Sequence, residues 1–561
     1  MIKKVIKNLG EPIFYPQILS TLKNYTRADF FKDLIAGIIV GIVALPMSIA
    51  FGIASGVTPE QGIITAIVAG FVVSLLGGSR VQIGGPTGAF IIIIAGVVTQ
   101  FGVIGLMVAT MIAGVLLIIM GLLKLGDIIK FIPYPVIVGF TGGIAVVIFS
   151  TQMKDFFGLE ISQVPAAFHE KWLCYFQHFD TINVYATVIA VFTVVLNFAW
   201  AKVNKIIPGT LIAILITTVA VYFLQLPVET IGSRFGEMKA GMPSPQIPSF
   251  DFETLRMLLP VAFTIAMLGA IESLLSAMVA DGATGQQHRS NTELIAQGAA
   301  NIISPLFGGI PATGALARTM TNVKNGGRTP IAGIIHALVL LLILLVFGKL
   351  AKMIPMACLA GILVVVAYNM SEWRSFKGLF RNSKSEVAVL LTTFFLTVVF
   401  DLTIAIEIGL LLALFLFVRR VSKNSEIQIF HNQVENSNND EYDNKQIPEK
   451  VDIFRINGPF FFGVANKFEE AMKQVKQPPK IRIIDMQKVP FVDASGLQNL
   501  NSFYVKCHSE KIRLILARVN PTVLESIKTH SLYEKIGKEF IFSDIQEAVQ
   551  KAENLLKAGT C

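Results

Sequence analysis

Glu272 stands near the middle of an apolar run, residues 254–281, where a carboxylate costs several kcal/mol unless it is paired, protonated or hydrated. Such a group is a candidate to load and release a coupling cation. Arg318 is a fixed cation in a second, interrupted apolar stretch, one helical turn beyond Thr313-Gly314-Ala315. The same tripeptide occurs earlier as Thr87-Gly88-Ala89. Each copy follows a Gly-Gly pair (Gly84-Gly85, Gly308-Gly309) and a proline (Pro86, Pro311). Each opens an apolar segment of roughly 10–15 residues, shorter than the about 20 that a bilayer-crossing helix needs. Short, Gly/Pro-interrupted segments at matching places in two halves point to the binding site of an inverted-repeat carrier. The N-termini of such half-helices carry partial positive charge and unpaired N–H groups, which suit an anion. Arginine adds a fixed field and a two-pronged grip on a carboxylate or sulfate. The chemistry these residues predict is reversible binding of a small oxyanion, coupled to a cation.

The elements that must position them are membrane helices. The 561 residues are 53% hydrophobic and only 15% charged, against about 25% charged in an ordinary soluble protein; mean hydropathy is +0.64. Fourteen apolar segments run between Asp33 and Val418, at roughly 33–54, 62–76, 86–99, 103–123, 135–151, 183–200, 207–224, 254–281, 293–306, 313–322, 330–348, 355–370, 386–400 and 401–418. Several are too short to span unless tilted, buried or re-entrant. Lys and Arg concentrate in the loops after even-numbered segments (Arg80, Lys124, Lys202, Arg289, Arg328, Arg374 among them). The positive-inside bias then places both termini in the cytoplasm of a bacterial cytoplasmic (inner) membrane. Fourteen divides into seven plus seven, and an odd half inverts the second repeat, matching the third segment to the tenth. The plainer reading of the repeated glycines and alanines is close helix packing.

The net charge of +9 is mostly Lys and Arg flanking apolar segments, which excludes nucleic acid as the expected partner. Cys174, Cys358, Cys507 and Cys561 have neither metal-ligand spacing nor a pairing pattern. No cleavable signal peptide, phosphate loop, catalytic triad or metal constellation is visible, so neither an enzyme nor a cofactor or metal is expected. Bringing a dianion inward against an inside-negative potential of about 100 mV costs roughly 4.6 kcal/mol. Uptake must therefore draw on a cation gradient or on exchange.

Several runs carry a resemblance. Gly84-Gly85-Pro86-Thr87, Leu268-Gly269-Ala270-Ile271-Glu272-Ser273, Asn301, Ala317-Arg318-Thr319, Asn322 and Gly326-Gly327-Arg328-Thr329 resemble the sulfate permease (SulP) family along nearly the whole chain. Phe491-Val492-Asp493-Ala494-Ser495-Gly496-Leu497 resembles the central motif of a STAS domain. The resemblance implies a polytopic α-helical membrane protein, fourteen segments in a seven-plus-seven inverted repeat of core and gate domains, with a cytoplasmic α/β STAS domain. It also implies a homodimer and alternating access by relative movement of core and gate. Within the family, the run around Glu272, Asn369-Met370-Ser371-Glu372 and Gly458-Pro459-Phe460-Phe461-Phe462 are most similar to the proton-coupled C4-dicarboxylate branch, and Pro46-Met47-Ser48 lacks the Pro-Gln of many sulfate transporters.

The expected anion site comprises Thr87, Gly88, Ala89, Gly314 and Ala315, with Arg318 placed beside it by the resemblance. Leu316, Met47, Ser48 and Phe51 are expected to line its wall. Glu272 is the expected coupling group. Ser276 matches a hydroxyl near the coupling ion of sodium-coupled bicarbonate relatives, but the longer Glu favours a proton over sodium. A structural brace is the plainer role for Glu272, and an ion-pair partner for Arg318. His336 is expected to be a satisfied buried histidine, and Asp281, Glu293 and Glu407 to be structural.

The expected organisation is an N-terminal cytoplasmic segment 1–32, a transporter domain 33–420, a linker 421–449 and a STAS domain 450–561. In that last domain, β-rich runs (451–456, 481–485, 513–517, 540–542) alternate with helical ones (464–475, 495–507, 521–530, 544–557). Ser495 is expected to cap a helix, or to accept phosphate there. The leading expectation is proton-coupled uptake of succinate or fumarate. Sodium-coupled bicarbonate or sulfate uptake is the rival, an anion channel a third option, and a membrane-anchored sensor acting through the STAS domain the alternative of another class.

Overall fold

The computed structural model describes residues 13–129, 133–161, 164–165, 167–203, 208–236, 241–248, 251–400, 402–424, 426–430, 447–464 and 479–558. Two units are present, Met1–Leu411 and Leu412–Cys561.

In the first unit, Thr26 opens the first long helix. Its Oγ1 accepts from Asp29 N at 3.2 Å while Asp29 accepts from Thr26 N at 3.3 Å, a reciprocal cap. This helix, α1 (Arg27–Ala54), is followed by α2 (Pro59–Leu76). The two-residue strand β1 (Gly84–Gly85) and a 3-10 turn (Gly88–Phe90) lead into α3 (Ile91–Leu122). Within α3, Gly102 adopts φ 68 and ψ −176, so two helices meet there, as the separate segments 86–99 and 103–123 predict. Then come α4 (Tyr134–Phe157), α5 (Val184–Val203), α6 (Gly209–Leu224), α7 (Phe252–Thr284) and α8 (Ser290–Leu306). The strand β2 (Thr313–Gly314) precedes the short α9 (Leu316–Lys324), and α10 (Pro330–Phe347), α11 (Met356–Met370) and α12 (Lys384–Val399) follow; α13 (Leu402–Asn424) begins in this unit and ends in the second. Among the described residues, six helices are long and apolar enough to cross a membrane.

The packing maps onto itself when the halves are exchanged. Helix α10 lies on α1 as α3 lies on α7, and α12 lies on α4 as α5 lies on α11. At the centre, β1 pairs antiparallel with β2, Gly84 opposite Gly314 and Gly85 opposite Thr313. Each half thus sends one interrupted segment to the middle, where they meet tip to tip. Side chains such as Phe223, Phe252 and Leu342 remain exposed on the outer helix faces, as lipid-facing residues do.

The second unit holds a four-stranded sheet in the order β3-β4-β5-β6, formed by Glu426–Phe430, Val451–Asn457, Ile481–Lys488 and Arg513–Ala517. Strand β3 is antiparallel to β4, and the other pairs are parallel. The strands β4 and β5 are buried along most of their length, as parallel strands between helices must be. The helices α14 (Ala494–Ser509), α15 (Pro521–Lys528) and α16 (Ile545–Lys557) pack around this sheet. Two differences from the sequence reading stand out. Residues 426–430, expected in the linker, form β3, because alternating Ile427 and Ile429 pack on the sheet core while β4 offers a free edge. The run 540–542 makes only one bridge, Leu516 with Ile541, and is not a strand. The helix expected at 464–475 and most of the linker lie outside the described residues.

Candidate functional site

The crossing of β1 and β2 is laced from both sides. Ala315 N donates to Ile83 O at 2.8 Å, and Ile83 N donates to Thr319 Oγ1 at 3.0 Å. Asn301 clamps the approach to β2: its Nδ2 donates to Ala312 O at 2.8 Å and its Oδ1 accepts from Ala312 N at 2.9 Å. From α7, Ser273 Oγ sits 2.6 Å from Thr313 Oγ1 and accepts from Gly314 N at 3.0 Å. One expectation is thereby corrected. The N–H groups of Gly314 and Ala315 are held by Ser273 and Ile83, because the segment before α9 runs as a strand edge, so they do not offer themselves to an oxyanion. The N-terminal turns of the Gly88–Phe90 segment and of α9 keep the partial positive charge of helix starts.

Arg318 rises from α9 into this crossing and is 1% exposed. Its Nη2 donates to the carbonyl oxygen of Pro86, while Nη1 has no hydrogen-bond partner among the described residues. The guanidinium fills the space that a Cβ on Gly85 would need, and Gly85 has φ +153, a conformation open mainly to glycine. Among the described residues no ion pair joins Arg318 to a carboxylate, so its charge is a source of field at the crossing.

Glu272 lies across from the first tip, where its Oε2 accepts from Thr87 Oγ1 at 2.8 Å. Both side chains are half-buried, whereas Gly85, Pro86, Gly88, Ile271 and Ser273 are buried. The structure therefore brings together Thr87, Glu272, the two half-helix starts and Arg318. Ser276, one turn beyond Glu272, is buried, and its hydroxyl donates to Thr319 Oγ1 at 3.3 Å, bracing α9.

The wall residues are only partly as expected. Met47 and Phe51 are buried on α1, and Ser48 turns its hydroxyl back to Ala44 O at 2.8 Å. Ala89 and Ala315 are buried, and Leu316 is half-buried at the start of α9. A Cβ on Gly88 would lie 3.5 Å from the Phe51 ring, 3.1 Å from Met370 Sδ and 3.0 Å from Ile148 Cδ1. Ile148 on α4 and Met370 on α11 thus wall the first tip, and sequence reasoning missed them because apolar residues in apolar helices carry no distinguishing mark. Gln82 was also missed. It is buried just before β1, and its side-chain amide occupies the space over Gly314.

Three other polar residues take structural positions. Glu293 is buried and accepts from Gly78 N at 2.8 Å, Ser79 N at 3.1 Å and Gln297 Nε2 at 2.9 Å. Asp281 lies 2.6 Å from His288 Nδ1. His336, expected to be a satisfied buried histidine, is buried in α10 beside Gly70, but neither ring nitrogen has a hydrogen-bond partner among the described residues, because apolar side chains of the core surround it. In the second unit, Asp493 caps α14, accepting from Gly496 N at 2.7 Å and from Phe462 N at 3.2 Å. Ser495, expected as the cap, is exposed in the first turn instead. A carboxylate two residues earlier reaches the free N–H groups first.

With this geometry in hand, comparison with known proteins is informative. Residues 30–393 match the model of the sulfate permease family and residues 442–548 that of the STAS domain. A putative sulfate transporter of Bacillus subtilis (strain 168) is 45% identical over 94% of this chain and 98% of its own. A bicarbonate transporter of Picosynechococcus sp. is 31% identical over 93% of this chain and 94% of its own. Among solved structures, SLC26A9 superposes with a TM-score of 0.86, covering 97% of this chain and 93% of its own, at 18% identity, a likeness of fold alone. The transmembrane domain of a cyanobacterial bicarbonate transporter gives 0.61 at 32% identity, over 69% of this chain and 98% of its own.

Proposed function

We propose a function from one premise: the chain belongs to the sulfate permease family, and so is an anion transporter with a STAS domain and not an enzyme. On that premise it is a secondary active carrier that takes up a small dicarboxylate, succinate or fumarate, together with protons. Glu272 is the coupling acid. Arg318 and the two half-helix N-termini hold the anion, and access alternates as the laced crossing moves past the helices that wall it. The observation that favours a dicarboxylate is the apolar wall of Phe51, Ile148 and Met370 against Gly88. Two carboxylates joined by a short carbon chain can set that chain on an apolar surface while their oxygens face the cradle. Inorganic oxyanions have no such surface to bury.

A second reading, uptake of bicarbonate or sulfate, is favoured by the relatives named for those anions at 31–45% identity. The protein in this account sits in the cytoplasmic membrane as a homodimer, with both termini in the cytoplasm, the side on which the Lys- and Arg-rich loops fall. Proteoliposomes test the proposal directly. An imposed inward proton gradient should drive uptake of labelled succinate, and unlabelled fumarate should compete better than bicarbonate or sulfate. Uptake that Glu272→Gln leaves unchanged sinks the coupling role. Competition by bicarbonate alone sinks the dicarboxylate.

A further inference from the structure

We infer that the Thr87 hydroxyl is a positioning group that converts protonation of Glu272 into affinity for the anion. The inference rests on the reading of Glu272 as the coupling acid and adds the step that joins proton to anion. Thr87 is the last residue before the Gly88–Phe90 turn, and its Oγ1 meets Glu272 Oε2 at 2.8 Å although 185 residues separate them. Both side chains of the pair are half-buried, each with buried neighbours on either side in the chain.

Donor count sets the coupling. A hydroxyl has one proton to give and lone pairs to accept with, whereas an ionised carboxylate only accepts. With Glu272 ionised, the single proton of Thr87 is committed to Oε2. An arriving oxyanion then meets lone pairs on Thr87 and a negative charge behind them. With Glu272 protonated, the acid has a donor of its own and gives it to Thr87 Oγ1. The hydroxyl proton of Thr87 is then free to turn to the anion. Loading one proton thus removes a charge and reverses the sense of one hydrogen bond, and no covalent bond other than the O–H of Glu272 forms.

Among the described residues, few other ionisable groups face the pair. Helix α3 and strand β2, which pack on α7, have no ionisable side chain, and α4, which packs on the Gly88–Phe90 turn, carries Tyr134 at its start and Lys154 and Asp155 near its end. Helix α9 brings Arg318, bound to the Pro86 carbonyl oxygen, and carries Lys324 at its far end. Glu293 on α8 is tied to the amides of residues 78 and 79. Asp127 in the short helix Gly126–Ile129 and the Asp281–His288 pair lie toward the C-terminal end of α7; Asp281 is about 13 Å along the helix from Glu272.

The test is the affinity of the purified full chain for sulfate and for succinate at an acidic and an alkaline pH. Sulfate keeps one charge state across that range, so its affinity reports on the protein alone. Wild type should bind more tightly at acidic pH. Thr87→Val, nearly isosteric, should lose roughly tenfold in affinity at acidic pH and little at alkaline pH, where the hydroxyl has no proton to offer. Thr87→Ser should restore the wild-type profile, which also guards against a folding defect in the valine variant. Glu272→Gln should bind sulfate with an affinity independent of pH. An equal loss at both pH values in Thr87→Val overturns the inference, leaving Thr87 as lining only. A Glu272→Gln variant that keeps the wild-type pH dependence instead overturns the coupling role of Glu272, and failure of wild type to bind either anion overturns the dicarboxylate reading and, with it, this role of Thr87.

Discussion

Replacing Arg318 with glutamine should make the anion-free protein more stable and a poorer binder. Arg318 is 1% exposed, one Nη rests on the Pro86 carbonyl oxygen, and the other has no partner among the described residues. A buried charge without a counter-ion is held at the expense of its hydration, and removing such a charge gains on the order of 1–4 kcal/mol where the replacement packs. Glutamine keeps an amide donor for the carbonyl and is shorter, so the packing lost above Gly85 reduces the gain. Anion binding changes in the opposite sense. A unit charge about 5 Å from the guanidinium, at an effective dielectric of about 20, gains roughly 3 kcal/mol, or about two orders of magnitude in Kd. Thermal unfolding of the purified protein across a succinate titration reads both effects. At about a hundredfold excess over Kd, bound anion adds about 2.7 kcal/mol to the folded state. Wild type should shift upward with succinate. Arg318→Gln should start higher and not shift at the same concentrations, and Arg318→Lys, which keeps the charge, should shift at higher ones. If Arg318→Gln melts lower without anion and still shifts with it, Arg318 is a strut for Pro86 and the argument fails.

Two further outcomes follow from buried polar groups. Asp485 is fully buried between Arg455 Nε at 2.9 Å and Arg518 Nε at 2.9 Å; burial alone would raise its pKa, but the bonds from Arg518 and Arg455 hold it below the ordinary aspartate range. A depressed folded-state pKa means its contribution is complete above that range and is lost as pH falls below it. Asp485→Asn should cost about 3–5 kcal/mol, and thiol labelling of the buried Cys507 should accelerate by about 10²–10⁴-fold at neutral pH, with a smaller ratio in strong acid. Glu293→Ala strands three buried donors, each costing about 1–3 kcal/mol, and should abolish monodisperse protein in size-exclusion chromatography, while Glu293→Gln, which keeps one carbonyl acceptor, should retain some.

The membrane architecture was legible because hydrocarbon imposes length and apolarity on each span, and because Gly/Pro-broken segments recur at matching places. Glu272 and Arg318 stood out for the same reason, as ionisable residues in apolar surroundings. Their partners did not. Nothing local to Thr87 points to Glu272, and the bond between them exists only because α7 crosses the first tip. The amides of Gly314 and Ala315 read as free ends of a half-helix, yet the Ser273 hydroxyl and the Ile83 carbonyl claim them, beside a strand of two residues that is too short to leave a periodic signal. The cap of α14 was misassigned because both Asp493 and Ser495 are good capping types, and only the backbone shows which one precedes the first turn.

The pairing of β1 with β2 also governs the order in which the molecule can be made. The bond from Ile83 N to Thr319 Oγ1 spans 236 residues, and the partner strand of Gly84 and Gly85 comes from the second half. At a synthesis rate of about 5–20 residues per second, the first tip waits roughly 10–50 s for its partner to emerge. Throughout that interval its peptide groups lack their final acceptors and donors, a situation that hydrocarbon penalises. The first seven segments are therefore an incomplete assembly during biogenesis. A ribosome stalled just before β2 should leave a nascent chain whose residues 83–85 are held by water or by the insertion machinery, and whose release depends on the arrival of Thr313 and Gly314.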